Sequence, residues 1–316
     1  MKRLLWFLFV LTLIGSCLLG STTIHPFNLT AVERDILFGL RLPRVLFSAV
    51  IGAMLGLSGS VYQLTLKNPL ADSFTTGAAS SAALGAVLAI ALGIPLSLVP
   101  LVALLTGLGG LLLVYRLARR DGFINPVSMI LAGIVMNIVA SAVISFSKYY
   151  FEDSLSSIVF WLMGGFFVVD WEKLLVCVTV FAVAYLLFTR RALQLNLLAL
   201  DEHSAQTLGV NVHRLRSFAF VIATLLVAVA VSHTGIIGFV GLIVPHIARS
   251  LFGSDMRHNL FYSSLLGALL LTAADTLARI IIPGGAELPV GIVTALLGGG
   301  FFLYLLQTRR ERFWHG

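Results

Sequence analysis

Charge is what this chain has least of. Only 11% of its residues are Asp, Glu, Lys or Arg, against about 25% in an ordinary soluble domain. A water-facing globule of this length is excluded. Cysteine is scarce too: Cys17 and Cys177 both lie in apolar runs, which suits small buried hydrophobes and excludes a disulfide framework or a cysteine metal site. Lysine occurs only as Lys2, Lys67, Lys148 and Lys173, following Met1, Leu66, Ser147 and Glu172. A Walker-type phosphate loop needs Gly before its Lys, so that loop is absent and any ATP hydrolysis must come from another chain. No Ser-His-Asp set, carboxylate pair or His-Glu-x-x-His pattern stands out. The longest polar stretch, 190–216, leaves no room for an appended soluble domain.

What is present is apolar sequence, 59% of the residues, in runs that recur from end to end. Runs of 17 to 25 apolar residues are membrane-helix lengths. The spacing predicts spans near 4–21, 45–66, 76–94, 97–116, 127–148, 172–189, 216–233, 238–252, 260–278 and 289–307, with a piece at 157–168 too short to cross. The run after Lys2 and Arg3 has the flanks of a signal peptide, but a polytopic chain needs none, and a first membrane helix is the reading adopted. Ten spans put both ends on one side. Lys2, Arg3, Lys67, Arg116, Arg119, Arg120, Arg190, Arg191, Arg214, Arg216, Arg257, Arg309, Arg310 and Arg312 then share that side. Arg34, Arg41, Arg44, Lys148, Lys173 and Arg279 fall opposite. The richer side is cytoplasmic by the positive-inside bias. The net charge of +7 is thereby accounted for without nucleic acid.

The most informative stretch is 235–249, GIIGFVGLIVPHIAR. It is apolar, yet it holds Gly235, Gly238, Gly241, Pro245, His246 and Arg249. Backbone freed by glycine and proline within a bilayer must be satisfied by protein or a wet cavity, so a broken helix is predicted. Gly52, Gly56 and Ser60, and likewise Ala78, Ala82 and Ala86, repeat at four-residue spacing and predict close helix contacts. Asp275 and Arg279 stand one turn apart and read as a structural ion pair. His233 and His246 are too far apart in sequence to suggest a metal site and read as structural. Pro43 in Arg41-Leu42-Pro43-Arg44 suits a helix's first turn, and two arginines at an outer mouth suit lipid headgroups or an acidic partner. Asp72, after Pro69, is placed to cap the third span. Glu287-Leu288-Pro289 reads as similar punctuation before the tenth. In the 190–216 loop, Ser204–Leu208 suits a short helix stopped by Gly209.

These motifs, in this order, resemble the FecCD family: RLPR at 41–44, SGSVYQ at 58–63, NPLAD at 68–72, WLMGGF at 161–166, ALDEHSAQTLGV at 199–210, GFVGLIVPHIAR at 238–249, ADTLAR at 274–279 and ELPVGIVTALLGG at 287–299. The resemblance covers nearly the whole chain. Its members are permeases of ABC importers for iron-siderophores, haem and vitamin B12, some branches carrying molybdate or tungstate. It implies an all-α polytopic fold of ten transmembrane helices with both termini cytoplasmic, a single domain over 1–316, and a re-entrant piece near 157–168. It implies a homodimer in a bacterial or archaeal cytoplasmic membrane. Two ATPase subunits using ATP and Mg would dock on the 190–216 loop through Asp201, Glu202, Ala205, Leu208 and Gly209, and this chain would bind no cofactor or metal. A substrate-binding protein would dock outside on Arg41, Arg44 and Arg279. Gly235, Gly238, Gly241, Pro245, His246 and Asp275 become hinge or structural residues, the broken segment a joint beside the ATP-driven movement. Two departures stand out. Asp201 occupies a position where the family usually has Gly, and Gly298-Gly299-Gly300 replaces Gly-Ala-Pro. An iron chelate or haem is the favoured cargo, with cobalamin or molybdate as alternatives. An ion-coupled transporter would need acids at mid-membrane, and a membrane enzyme would need a catalytic set.

Overall fold

Lipid offers no hydrogen bonds, so an apolar chain must satisfy its amides within itself, and helices do this segment by segment. The computed structural model describes residues 2–20, 30–120, 123–166, 169–199, 202–282 and 285–308. Its helices are α1 (Lys2–Leu18), α2 (Ala31–Asp35), α3 (Leu42–Thr65), α4 (Ala78–Ala91), α5 (Val99–Ala118), α6 (Pro126–Tyr150), α7 (Leu155–Leu162), α8 (Trp171–Arg190), α9 (Ala192–Leu197), α10 (Glu202–Thr207), α11 (Val212–Thr234), α12 (Val240–Phe252), α13 (Met256–Ile280) and α14 (Val290–Thr308). A two-residue antiparallel pairing, Arg119–Arg120 with Phe123–Ile124, links α5 to α6. Among the described residues, six helical stretches are long and apolar enough to cross a membrane: Ala31–Thr65, α5, α6, α8, α11 and α13. Four shorter apolar helices cover Arg3–Leu18, Ala78–Ala91, Val240–Phe252 and Val290–Leu305. Each expected span falls on one of these helices.

The axis of the molecule is α3. Its residues Phe47, Ile51, Met54, Leu57, Val61 and Tyr62 are fully buried, with α13, α12, α11 and α8 packed around it. Glycines allow the closest of these contacts. A Cβ added at Gly52 would sit 2.2 Å from the Gly267 carbonyl oxygen, and one at Gly267 would meet the Gly52 oxygen at the same distance. The backbones of α3 and α13 therefore touch. One turn on, Gly56 meets the Ser263 carbonyl in the same way, and Ser60 donates to Asn259 Oδ1 at 2.8 Å. The small-residue stripe expected on α3 is thus the α13 contact. The alanines of α4 face α5, where Gly107 lies against Ala82.

Three expectations need correction. The helix leading into α3 begins at Ala31, not near 45: Thr30 and Glu33 form a capping box and a π-helical turn, Ile36–Arg41, carries the chain into α3. Pro43 is compatible with this because its missing N–H falls just after the widened turn. Asp72 does not cap α4. Its Oδ1 accepts from Phe74 N (3.0 Å) and Thr75 N (2.9 Å), closing a turn, while α4 starts after Gly77 at φ 75°. Arg216, counted among loop charges, is buried in the first turns of α11.

Candidate functional site

Three regions gather the polar residues. At the end of the bundle where α3 and α14 begin, Asp275 is buried between two arginines. Arg44 donates to its Oδ1 through Nε (3.2 Å) and Nη2 (2.8 Å), and Arg279 Nε pairs with its Oδ2 at 3.1 Å. Arg44 also donates through Nη1 to Glu287 Oε2 at 2.7 Å. The i,i+4 pair read from sequence is present, but Arg44, 231 residues away, is the better aligned partner. Arg41 and Arg279 turn inward to the end of α1. Arg41 Nη1 donates to the Cys17 and Leu18 carbonyls (3.2 and 2.8 Å), and Arg279 to those of Ser16 (2.9 Å) and Leu19 (3.1 Å). Cations over the last carbonyls of a helix satisfy orphan acceptors and complement its dipole. The three arginines expected to dock a partner thus stand together, with Arg41 and Arg279 buried.

The second region is the broken stretch. Gly235 ends α11 with φ 68°, and a Cβ there would lie 2.2 Å from the Trp161 carbonyl oxygen. Gly164 at φ 67° would meet the Ile236 oxygen at 2.1 Å, and Gly291 the Met163 oxygen at 2.1 Å. Gly165 N donates to Thr234 O (2.8 Å) and Gly291 N to Gly164 O (3.3 Å). The segment after α7, the α11–α12 bend and the start of α14 therefore meet backbone to backbone. Phe239 precedes α12 in the left-handed region, φ 68°, and its ring fills the space in front of Gly298. Gly299 and Gly300 face open space. A Cβ at either position would meet no neighbour, while Gly300, inside α14, keeps the helical N–H that proline lacks.

Within α12, Pro245 has no N–H to give to the carbonyl of Gly241, its partner four residues back. Gln63 of α3 supplies the missing donor: Nε2 reaches Gly241 O (3.3 Å) and Leu242 O (3.2 Å). The Gln63 Oε1 accepts in turn from Arg249. Gly241 itself packs against Gly59. Gly238 is looser, with only the Phe74 ring nearby. His246 sets its ring edge to face against Phe301, 5.7 Å between centroids. His233 Nδ1 lies 2.9 Å from Val229 O.

The third region is the 190–216 loop at the opposite end from Asp275. The guanidinium of Arg191 lies 3.9 Å over the Phe218 ring. Asn196 of α9 holds the start of α13 with both amide atoms: Nδ2 donates to Asp255 Oδ1 (2.8 Å) and Oδ1 accepts from Met256 N (2.8 Å). Hydrogen bonds from Arg257, then from Asn196, hold the Asp255 carboxyl far below the usual carboxylate range. Asp201 lies outside the described residues, and Glu202 opens α10. Ala205 is buried and Leu208 exposed. Gly209, φ 79°, closes α10 as a Schellman motif: Gly209 N donates to Gln206 O (2.9 Å) and Val210 N to Ala205 O (3.2 Å). Between this loop and α12 lies a cavity of about 510 Å³, whose walls include Gln63, Lys67, Asn196, Arg249, Asp255 and Asn259.

The structure places Glu202, Ala205, Leu208 and Gly209 at one end, on and just after α10 packed against α11, and the expected docking arginines at the other. Among the described residues, no three His, Cys, Asp or Glu side chains gather to hold a metal ion. Sequence reasoning passed over Gln63, Asn196, Asp255, Gly164 and Gly291. One signal was available: Pro245 strands the Gly241 carbonyl, so a donor was owed. Nothing in the sequence pairs Asn196 with Asp255.

Residues 4–308 match the FecCD transport family. The chain is 36% identical to the hemin transport system permease protein of Yersinia pestis, over 99% of this chain and 96% of the relative. It is 37% identical to the cobalamin import system permease protein of Halobacterium salinarum, over 90% and 77%. It is 36% identical to the molybdate import system permease protein of Haemophilus influenzae, over 92% and 85%. Among solved structures, an ABC transporter assigned to the metal-chelate type, in an inward-facing conformation, superposes with a TM-score of 0.89 at 35% identity, covering 97% of this chain and 99% of that one.

Proposed function

The chain belongs to the FecCD transport family, and we propose that it moves a metal chelate, an iron-siderophore or haem, as the permease subunit of an ATP-driven importer in the cytoplasmic membrane. That it is a multi-pass membrane permease of the FecCD importer type follows from its relatives and its apolar helices. The finer reading has ten crossings with both termini cytoplasmic, a homodimer, two separate ATPase subunits on the 190–216 loop, and a binding protein on the Asp275 end. ATP binding would close the ATPases, draw the loops together and switch the pathway from one side to the other.

The observation that carries this reading is the match of residues 4–308 to the FecCD transport family; within the chain, Asn196 grips the first turn of α13. Asp275 lies twenty residues further along the same helix, about 30 Å at 1.5 Å per residue. Movement of the loop is thereby connected to the Arg44–Asp275–Arg279 cluster through one rigid element. In this arrangement Arg44 and Glu287, the more open members, face the binding protein, while Arg41 and Arg279 fix the end of α1 beneath it. Ion pairing across such a surface sets orientation and on-rate more than affinity. Asp275 is spoken for by two arginines, which argues against a proton-relay reading. Cobalamin or molybdate remain the alternative cargoes, since relatives named for each are equally similar.

The test is reconstitution in liposomes with an ABC ATPase and a substrate-binding protein of the same host. ATP-dependent uptake of ferric chelate or haem is expected, with hydrolysis stimulated by the loaded binding protein. Glu202→Arg should keep basal hydrolysis and lose the stimulation. Uptake without any ATPase overturns the importer reading, and stimulation only by cobalamin- or molybdate-loaded protein overturns the cargo.

A further inference from the structure

We propose that the chain carries a binding site for an anionic phospholipid in the groove walled by α1 and α8. The floor is made of small residues where α3 and α13 touch: Ala49, Ala53, Ser264 and Ala268. The walls are large and apolar, Trp6, Phe9 and Leu13 on one side and Val178 and Phe181 on the other. The groove encloses about 530 Å³ and presents almost no polar surface. Such a slot between membrane helices suits an acyl chain.

One end of the groove is not apolar. Trp6, Phe261 and Leu265 are shared with a second hollow of about 310 Å³ that adds Arg257, His258 and Tyr262. Trp6 and Phe261 stand at that junction with ring centroids 5.9 Å apart. Arg3 lies one helical turn before Trp6 and so on the same face of α1. Arg257 donates to Asp255 through Nε and Nη2, yet more than half of its side chain stays exposed. Arg3 and His258 are exposed as well. A Trp at the boundary, an apolar slot on one side and basic groups on the other match a phospholipid's geometry. Basic pockets between membrane helices on the cytoplasmic side are places where anionic headgroups bind. Charge complementarity therefore selects an anionic lipid over a zwitterionic one. The leaflet rests on the orientation proposed above, with the Arg257 end cytoplasmic.

The test is native mass spectrometry of the full chain, purified in detergent and titrated with phosphatidylglycerol or phosphatidylcholine of identical chains. Phosphatidylglycerol is expected to bind about tenfold more tightly, since each basic residue near the headgroup adds to the attraction. Arg257→Gln should remove most of that preference. Because Arg257 also braces Asp255, the double variant Arg3→Gln/His258→Gln, which spares the Asp255 contact, should reduce the preference as well. Val178→Trp, filling the groove from its exposed wall, should weaken both lipids. Equal binding of the two lipids, a preference unchanged in both charge variants, or binding unaffected by Val178→Trp overturns the site. Binding in detergent is independent of membrane orientation. Its failure leaves the orientation standing, and labelling of single-cysteine variants in intact cells tests that separately.

Discussion

Gln63 donates its side-chain amide to the carbonyl of Gly241, the acceptor that Pro245 leaves without a helical donor. The same side chain accepts from Arg249 one turn beyond the proline. A defect in α12 is thus repaired by a residue of α3. A proline in a membrane helix is tolerated when a neighbouring group re-satisfies the freed backbone.

Gln63→Ala leaves a partly buried carbonyl and a partly buried guanidinium without this partner. A cost of about 1–3 kcal/mol is expected for the stranded acceptor. Thermal unfolding of the detergent-purified protein checks it, and an unchanged midpoint would show that the carbonyl finds another donor.

Asp275→Asn keeps the shape and removes the charge between Arg44 and Arg279. Breaking a buried ion pair from one side costs about 3–5 kcal/mol, because the partner charges stay buried. Glu287→Gln touches the same network at its more exposed edge, where about 0–1 kcal/mol is expected. Comparing the two melting midpoints tests the ranking; equal effects would contradict it.

Gly164→Ala places a methyl group against the Ile236 carbonyl at a left-handed residue. The backbone alone costs roughly 1–2 kcal/mol for an L side chain there, and the clash adds to it. Gly299→Ala meets open space and should behave as wild type. Size-exclusion profiles and melting of the two variants, run side by side, decide the matter.

Asp255 gives a pH dependence. Its carboxyl is depressed in the folded state by hydrogen bonds from Arg257 first and Asn196 second. Its stabilisation is therefore fully present above the unfolded value near 3.9 and is lost as pH falls through the folded one. Asp255→Asn should melt earlier than wild type at neutral pH, with the gap closing as pH drops below about 4. A gap that stays constant with pH would mean that the carboxylate's charge contributes nothing.

Much of this architecture is legible in the sequence because lipid imposes simple rules. Apolar length marks the helices, and Gly52-x-x-x-Gly56-x-x-x-Ser60 marks a close contact, here with α13. Gly235 and Pro245 announce a break, and spacing alone pairs Asp275 with Arg279. The failures share a cause as well. The extension of α3 back to Ala31 passes through a π-helical turn that apolar spacing does not mark, although Thr30-x-x-Glu33 spells out the capping box at its start. Asp72 looks like an N-cap, yet it spends its oxygen on its own turn. Arg44 with Asp275, and Asn196 with Asp255, are contacts between distant segments, and no local pattern encodes them. Arg41 reads from its charge as a surface residue; the structure spends that charge on the carbonyls at the end of α1.

The contact between Gly52 and Gly267 has a mechanical consequence. Helices separated by side chains can slide, because rotamers yield. Backbones in direct contact have no such cushion. The α3–α13 pair is therefore a keel that shifts as one piece, and α6 and α14, whose long exposed faces carry Leu131, Ile138, Phe146, Leu296 and Leu303, lie outside that contact.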